Sequence, residues 1–245
     1  MRNPRIYTEA SLQAGQTVPL DENAAHHVGK VLRMQPGQPL VLFNGDGHNY
    51  PSELEEVGKK AVTARVLDCR ESGCEPSLRI VLGQVISKGD RMDYAVQKST
   101  ELGVDTLVPL TSERCDVKLR GDREDKRVRH WQQVAISAAE QCGRATVPRV
   151  AGLASLEEWF GLAADCDLRL VLHHRTDQPL DTLQRPHDGI ALLIGPEGGL
   201  TGDEIAVARE AGFHPAAIGP RVLRTETAPV AAITLCQWLW GDFRG

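Results

Sequence analysis

The 245-residue sequence contains no apolar run that approaches the roughly 20 residues needed to span a bilayer. Its basic start, which ends at Arg5, is not followed by the apolar stretch of a secretory signal. Its six cysteines form no C-x-x-C pair, which argues against a zinc site and against a disulfide framework. These absences predict a cytoplasmic protein with reduced thiols, no membrane partner and no metal.

A large excess of charge of one sign is also absent. Lys and Arg total 28 against 33 Asp and Glu, which leaves a net charge of −5. The mild acidity argues weakly against a non-specific nucleic-acid coat protein, although a local basic patch is compatible with it. With 41% hydrophobic residues, the chain is not intrinsically disordered, and its length suits one large domain or two modest ones.

Short β-like runs dominate the first 70 residues, at Pro39–Phe43, Tyr50–Leu54 and Ala61–Leu67. One amphipathic helix is predicted near Asp21–Arg33, with Asp21 as its N-cap. Short strands with a single helix predict a small β-barrel. The polar, turn-rich residues 71–77 are interpreted as a linker to the rest of the chain.

From Leu78 onward the pattern changes to alternating strands and helices. Strands are predicted at Ile80–Ile86, Val104–Leu110, Leu168–His173, Ile190–Ile194 and Pro215–Ile218. Helices are predicted from Asp90 to Leu102, Arg123 to Cys142, Thr201 to Ala211 and Thr227 to Trp240. The alternation predicts an α/β fold in which a parallel sheet carries helices on both faces.

Two loops of the second half join a predicted strand to a predicted helix. Residues 194–204 are rich in glycine, which lets main chain approach a ligand closely, but their spacing fits neither the dinucleotide fingerprint nor the P-loop. A tight turn without a ligand explains them equally well. In residues 218–229, Arg221, Arg224 and Glu226 crowd a short loop, either to meet a ligand or to form an internal ion pair.

These loops read L-I-G-P-E-G-G-L at Leu193–Leu200 and L-R-T-E-T-A at Leu223–Ala228. Both closely resemble the RsmE family, bacterial 16S ribosomal RNA (uracil-N3)-methyltransferases of the SPOUT superfamily. The resemblance extends over nearly the whole chain, with further matches at Arg2–Tyr7, His27–Arg33, Gln97–Gly103, Ser112–Cys115 and Ala139–Arg144.

The resemblance implies a PUA-like β-barrel that binds RNA in residues 1–72, followed by a SPOUT methyltransferase domain with a deep trefoil knot in residues 73–245. It also implies a homodimer. The last predicted helix is apolar around most of its circumference, which fits burial on more than one side. Burial inside one domain is the alternative explanation of that helix.

The cofactor implied by the family is S-adenosylmethionine, held mainly by main-chain atoms of three loops. The resemblance places it against Leu172, His173, Gly195, Pro196, Glu197, Gly199, Leu200, Ile218, Gly219, Leu223, Arg224, Thr225, Thr227 and Ala228. His173 and His174 are interpreted as a strand-end pair, because no third metal ligand stands at useful spacing.

The reaction implied is methylation of N3 of uridine 1498 in 16S ribosomal RNA, within the small ribosomal subunit or its precursor. That atom lies on the Watson–Crick edge, so the base must be unpaired or flipped out. Arg224 is the candidate that stabilises the developing uracil anion, and Glu226 either orients Arg224 or takes the proton. For the RNA phosphates, we expect contacts from Arg2, Arg5, Lys30 and Arg33.

Two other functions remain open from the sequence. The same fold is compatible with methylation of a ribose 2′-oxygen. A non-catalytic RNA-binding assembly factor with a vestigial pocket is the second alternative, although the intact charged and glycine residues of both loops argue against it.

Overall fold

The computed structural model describes residues 3–58, 61–173, 176 and 180–244. These residues divide into two compact units. The first runs up to Glu75 and includes Ile136–Val147, whereas the second comprises Pro76–Ala135 and the chain from Pro148 onward.

A six-stranded sheet forms the frame of the first unit within the described residues. Its strands are β1 (Arg5–Tyr7), β2 (Thr17–Pro19), β3 (Pro39–Phe43), β4 (His48–Val57), β5 (Val62–Val66) and β6 (Arg70–Glu71). They follow the order β1-β3-β4-β5-β2, with β6 on β4; β1 is parallel to β3 and the other pairs are antiparallel. The three predicted strands are present, and the two or three residues of β1, β2 and β6 are too short to show a period.

The helix predicted near Asp21–Arg33 is two elements. Helix α1 (Glu22–His26) begins as predicted, because the Asp21 carboxylate accepts the Ala24 N–H at 2.9 Å. A single π-helical turn, His27–Val31, follows it. The helix cannot include Arg33, whose φ of 52° lies in the left-handed region.

The second unit contains a sheet in which every neighbouring pair is parallel, in the order β12-β10-β11-β7-β8-β9. Its strands are β7 (Ile80–Val85), β8 (Thr106–Leu110), β9 (Arg149–Val150), β10 (Leu168–Leu172), β11 (Ile190–Ile194) and β12 (His214–Ala216). Its helices are α2 (Arg91–Glu101), α3 (Asp122–Cys142), α4 (Leu156–Leu162), α5 (Gly202–Glu210) and α6 (Thr227–Trp240), with α3 continuing into the first unit. The predicted parallel α/β sheet is confirmed, and β9 and α4 are additions to it.

The central strands β7 and β11 are buried along their whole length. Side chains on one face of them, such as Val81 and Leu193, share a core with Trp159 of α4 and Ile205 of α5. A Cβ on Gly83 would lie 2.6 Å from the Trp159 ring, so a glycine is needed there for α4 to approach β7. The side chains on the opposite face of β7 and β11 are buried as well, and α6 contacts both strands.

The helix starts differ in how they are capped. Capping boxes open α4, from Ser155 to Glu158, and α5, from Thr201 to Glu204 as the sequence predicts. Asp90 occupies the predicted N-cap position of α2, but its side chain makes no capping bond. The N-cap residue of α6, Glu226, makes none either. The ends of α2 and α6 therefore keep main-chain donors without a side-chain acceptor of their own.

Candidate functional site

A cavity of about 1120 Å³ lies at the carboxyl ends of β10, β11 and β12 within the second unit. The loops that follow β11 and β12 form most of its wall, and the end of β10 supplies Leu172 and His173. Open parallel sheets bind ligands at this edge, and the volume suits a small organic molecule.

The structure brings the predicted cofactor-contacting residues together. All but one of them line the cavity: Leu172, His173, Gly195, Pro196, Glu197, Gly199, Leu200, Ile218, Gly219, Leu223, Arg224, Thr225 and Ala228. The exception is Thr227, which lines a neighbouring cavity. Both candidate catalytic residues, Arg224 and Glu226, also lie on the wall of the large cavity.

Sequence reasoning missed two arginines of the cavity wall, Arg91 and Arg114. They follow β7 and β8, whose carboxyl ends lie at the same sheet edge as the two motif loops. Because parallel strands present their carboxyl ends at the same sheet edge, a search of the residues that follow each predicted strand would have found both arginines. Their separation along the chain from the two motif loops makes this proximity hard to see in the sequence. Arg209 and Arg221 add further positive charge to the wall.

The loop after β11 is held by polar contacts from both neighbouring segments. The Arg91 guanidinium donates from Nη1 to Glu197 Oε1 at 2.7 Å, and the Lys88 N–H donates to the same oxygen at 3.1 Å. Arg114 donates from Nη1 to the Gly198 carbonyl oxygen at 3.1 Å. Gly199, at φ 68°, turns the loop back through a bond from its N–H to the Pro196 carbonyl.

These contacts also set the charge state of Glu197. Burial works to raise the pKa of this carboxyl group, but three hydrogen bonds and the Arg91 charge outweigh burial and lower the pKa below its usual value. The bonds come from the N–H groups of Glu197 and Lys88 and from Arg91. Glu197 is therefore a carboxylate at neutral pH, held against the cavity.

The Thr225 hydroxyl joins the two motif loops. It donates to the Gly195 carbonyl oxygen at 2.8 Å and accepts a bond from Nε2 of Gln84, the β7 residue, at 3.0 Å. Gln84 is completely buried and Thr225 is 5% exposed. One hydroxyl thus ties the loop before α6 to the ends of β7 and β11 in a water-free place, where such bonds are hard to replace.

The candidate catalytic pair is arranged differently from the expectation. Within the described part of the chain, the exposed Arg224 guanidinium has no hydrogen-bond or ion-pair partner. The cation near Glu226 is instead Arg91, whose Nε lies 3.9 Å from Oε1. Glu226 therefore does not orient Arg224. The expected ion pair of Glu226 with Arg221 or Arg224 is also absent from the described residues, because Glu226 lies beside α2.

The second carboxylate oxygen of Glu226 is also distinctive. Oε2 is buried and has no hydrogen-bond partner among the described residues, although the side chain as a whole keeps 18% of its surface exposed. A buried carboxylate oxygen without a donor is costly, and it offers an acceptor to a ligand that carries an N–H group.

Comparison with known proteins identifies the family. Residues 74–237 match the model of the RNA methyltransferase domain, and residues 20–67 match the model of the RNA methyltransferase PUA domain. The ribosomal RNA small subunit methyltransferase E of Buchnera aphidicola (subsp. Schizaphis graminum) is 36% identical over 98% of both chains. That of Bacillus subtilis is 30% identical over 97% of this chain and 96% of its own.

Solved structures agree. The ribosomal RNA small subunit methyltransferase E of Neisseria gonorrhoeae, bound to S-adenosylmethionine, has a TM-score of 0.90 and is 41% identical, covering 99% of this chain and all of its own. A Legionella pneumophila protein in complex with the same cofactor has a TM-score of 0.95 and 41% identity over the same shares. The chain belongs to the ribosomal RNA small subunit methyltransferase E (RsmE) family.

The predicted RNA contacts of this RsmE-family chain differ in their surroundings. Arg5 donates to Asn49 Oδ1 at 2.6 Å and to the Arg144 carbonyl at 2.9 Å, and its guanidinium lies 4.8 Å from the centre of the Phe43 ring. These contacts support a structural role for Arg5. Lys30 and Arg33 are exposed. Arg2 and His174 lie outside the described residues.

Among the residues that the structure describes, no group of three or more His, Cys, Asp and Glu side chains is placed to hold a metal ion. None of the described helices is long and apolar enough to cross a membrane.

Replacing Thr225 by valine keeps the shape but removes the hydroxyl, leaving the Gln84 amide and the Gly195 carbonyl without this partner. We expect the free energy of unfolding of the second unit to fall by about 1–3 kcal/mol, measured by urea denaturation followed by circular dichroism. Thr225→Ser, which keeps the hydroxyl, is the control, and its free energy of unfolding should fall much less. Equal stability of the valine variant and the parent would contradict a structural role for the bridge.

Proposed function

We propose that this protein transfers the methyl group of S-adenosylmethionine to N3 of uridine 1498 in 16S ribosomal RNA. One observation carries the proposal: both motif loops wall a single cavity of small-molecule size. Membership of the RsmE family, shown over nearly the full length of the chain, supplies the reaction.

The cavity fits the donor chemically. Much of its wall is glycine-containing main chain, which can read the hydrogen-bonding edges of adenine, and Ile218 and Leu223 provide apolar surface for the base. Glu197 and Glu226 are carboxylates suited to the positively charged amino and sulfonium groups. The donor supplies an electrophilic methyl group, whereas the protein's residues position it and exclude water.

The acceptor needs a proton removed from N3, because a protonated imide nitrogen is a weak nucleophile. We assign Arg224 to stabilise the negative charge that develops on the uracil oxygens, since its guanidinium is exposed and uncommitted at the cavity wall. Glu226 accepts the N3 proton through Oε2, for which the described residues provide no hydrogen-bond donor.

The trefoil knot is proposed from the path of the last 30 residues. After β12, at the sheet edge, the chain reaches past β10 so that Thr225 bonds to Gly195 beyond β11 and to Gln84 of β7. A segment that passes a central strand in this way supports a threaded chain, an arrangement that ordinary chain topologies avoid.

The finer domain assignment is likewise proposed. Residues 1–72 form a PUA-like β-barrel that binds RNA, and residues 73–245 form the SPOUT methyltransferase domain. The match of residues 20–67 to the PUA model and the six-stranded sheet of the first unit support the barrel. A substrate in the ribosome supports a cytoplasmic location.

A homodimer is proposed on the surface of α6. Its inner residues, such as Ile233 and Cys236, are buried in the unit, yet Trp238 of the same helix is 52% exposed and the nearby Phe243 is 40% exposed. Large apolar side chains left at the surface beside a buried helix favour a protein contact.

The function is tested on ribosomal RNA from cells that lack the gene and from the same cells complemented with it. We expect nucleoside mass spectrometry to show that one 3-methyluridine is lost and then restored. Because N3 methylation blocks base pairing, primer extension should stop at that uridine only in modified RNA. A lost ribose 2′-O-methyl group would instead support the alternative chemistry, and no lost methyl group would contradict the proposal.

Arg224→Ala tests the assignment of the catalytic arginine. Since the side chain is exposed, we expect the donor dissociation constant to change by less than about threefold, whereas kcat should fall about 10²–10³-fold through loss of one electrostatic stabiliser. Calorimetry with S-adenosylhomocysteine and single-turnover methylation separate the two effects. The Arg224→Lys variant keeps the charge but not the forked set of guanidinium donors, so its kcat should lie between those of the parent and the alanine variant. Unchanged kcat in the alanine variant would remove Arg224 from the mechanism.

The double variant Lys30→Ala/Arg33→Ala tests RNA contacts on the first unit. If both side chains meet phosphates, the affinity for 16S RNA fragments should fall for every sequence tested. The slope of log affinity against log salt should also flatten by about 1–2, as measured by filter binding. Lys30→Arg/Arg33→Lys is the charge-preserving control, and an unaltered salt slope in the alanine variant would contradict the assignment.

A further inference from the structure

A second cavity adjoins the large one within the second unit and has a volume of about 660 Å³. It is lined by Lys88, Gly89, Asp90, Arg91, Tyr94, Glu226 and Thr227. Arg91 and Glu226 line both cavities. The two cavities therefore share part of their lining.

We propose that the second cavity holds the target uracil, with Tyr94 stacked on the base and with Arg91 and Glu226 reading its imide edge. The inference rests on the proposed methyl transfer and names the acceptor subsite for it. An acceptor must lie directly against the donor's methyl group, so a cavity that shares its wall with the donor cavity meets the first requirement.

The imide edge of uracil presents an acceptor, a donor and an acceptor: O2, N3–H and O4. Glu226 Oε2 is a buried acceptor that has no hydrogen-bond partner among the residues the structure describes, which matches N3–H. Arg91 uses Nη1 for Glu197, and the remaining guanidinium donors match a uracil carbonyl oxygen. The charges of this wall are thus complementary to uracil in its reactive orientation.

The same pattern rejects cytosine. Its N3 carries no proton and is an acceptor, so it would face the Glu226 carboxylate with two lone-pair groups opposed. A site that leaves buried polar groups unpaired discriminates strongly against the wrong ligand. Glu226 accordingly determines specificity as well as receiving the proton.

Tyr94 supplies the stacking surface. It lies three residues after Arg91 on α2, so both side chains share one face of the helix. Its ring is 46% exposed, and its hydroxyl has no hydrogen-bond partner in the described part of the chain. An exposed aromatic ring in the lining of a polar cavity is a feature that single-stranded nucleic-acid sites use to hold an unstacked base.

The resulting step balances. The N3–H proton passes to the Glu226 carboxylate, N3 forms a bond to the methyl carbon, and the carbon–sulfur bond breaks to leave neutral S-adenosylhomocysteine. The α2 and α6 ends at this cavity carry no side-chain cap. Their dipoles therefore favour the negative charge that builds on the uracil oxygens.

Tyr94→Ala tests the stacking in the full-length protein. We expect KM for a 16S RNA substrate to rise at least tenfold while the dissociation constant of S-adenosylhomocysteine stays within twofold, because Tyr94 lines only the second cavity. Tyr94→Phe keeps the ring and should behave like the parent. An unchanged KM and kcat in Tyr94→Ala would overturn the subsite, as would equal losses in the alanine and phenylalanine variants.

Glu226→Gln tests the reading of the base. RNA fragments with uridine or cytidine at the target position are compared for binding in the presence of S-adenosylhomocysteine. The parent should prefer uridine at least tenfold, and the glutamine variant should lose most of that preference, because its amide can donate to cytosine N3. Glu210→Gln, at an exposed position of α5 that lines neither cavity, is the matched control and should keep it. Retained preference in Glu226→Gln would overturn the proposal.

These outcomes are distinguishable from failure of the proposed function itself. If the parent protein binds no donor or places no methyl group on uridine N3, the methyl transfer is wrong. If the parent does both and the Tyr94 and Glu226 variants behave as the parent, only the acceptor subsite is wrong.

Discussion

The site depends on one buried hydroxyl group. Thr225 links the loop before α6 to the Gly195 carbonyl and to the Gln84 amide, and these belong to segments far apart in the sequence. A cavity lined by main-chain atoms recognises a ligand only if those atoms are held in place, because a loop that moves no longer presents a fixed pattern of hydrogen-bond donors and acceptors. The glycines that let main chain approach a ligand also make the loops flexible, and the Thr225 bridge opposes that flexibility.

Arg91 is the second constraint, and it works through charge. It pairs with Glu197 of the large cavity and lies beside Glu226, which lines both cavities. A single guanidinium therefore fixes one carboxylate, whereas the other keeps a buried oxygen that has no hydrogen-bond partner in the described parts of the chain. Two carboxylates near one another take different roles when their hydrogen-bonding environments differ, as is general for acid–base sites.

Local sequence patterns determined much of the architecture. The apolar runs of β7 and β11 predict buried parallel strands because both faces are covered, and the Thr201–Glu204 pair predicts the start of α5 because its hydrogen bonds are local. The short strands β1, β2 and β9 escaped prediction, since two or three residues show no period and pair only with distant partners. The π-helical turn after α1 escaped prediction for another reason, because the apolar stripe alone does not distinguish it from a continued α-helix.

The sequence by itself determined the motif loops, the resemblance to the RsmE family and about half of the residues that line the large cavity. Only the tertiary structure decided that Arg91, rather than Arg224, accompanies Glu226, and that Arg5 is held by Asn49 and the Arg144 carbonyl. The physical reason is how far apart in the sequence the interacting residues lie. Strands, turns and caps are set by neighbours within a few residues, whereas ion pairs and buried hydrogen bonds depend on which distant segments the folded chain places side by side.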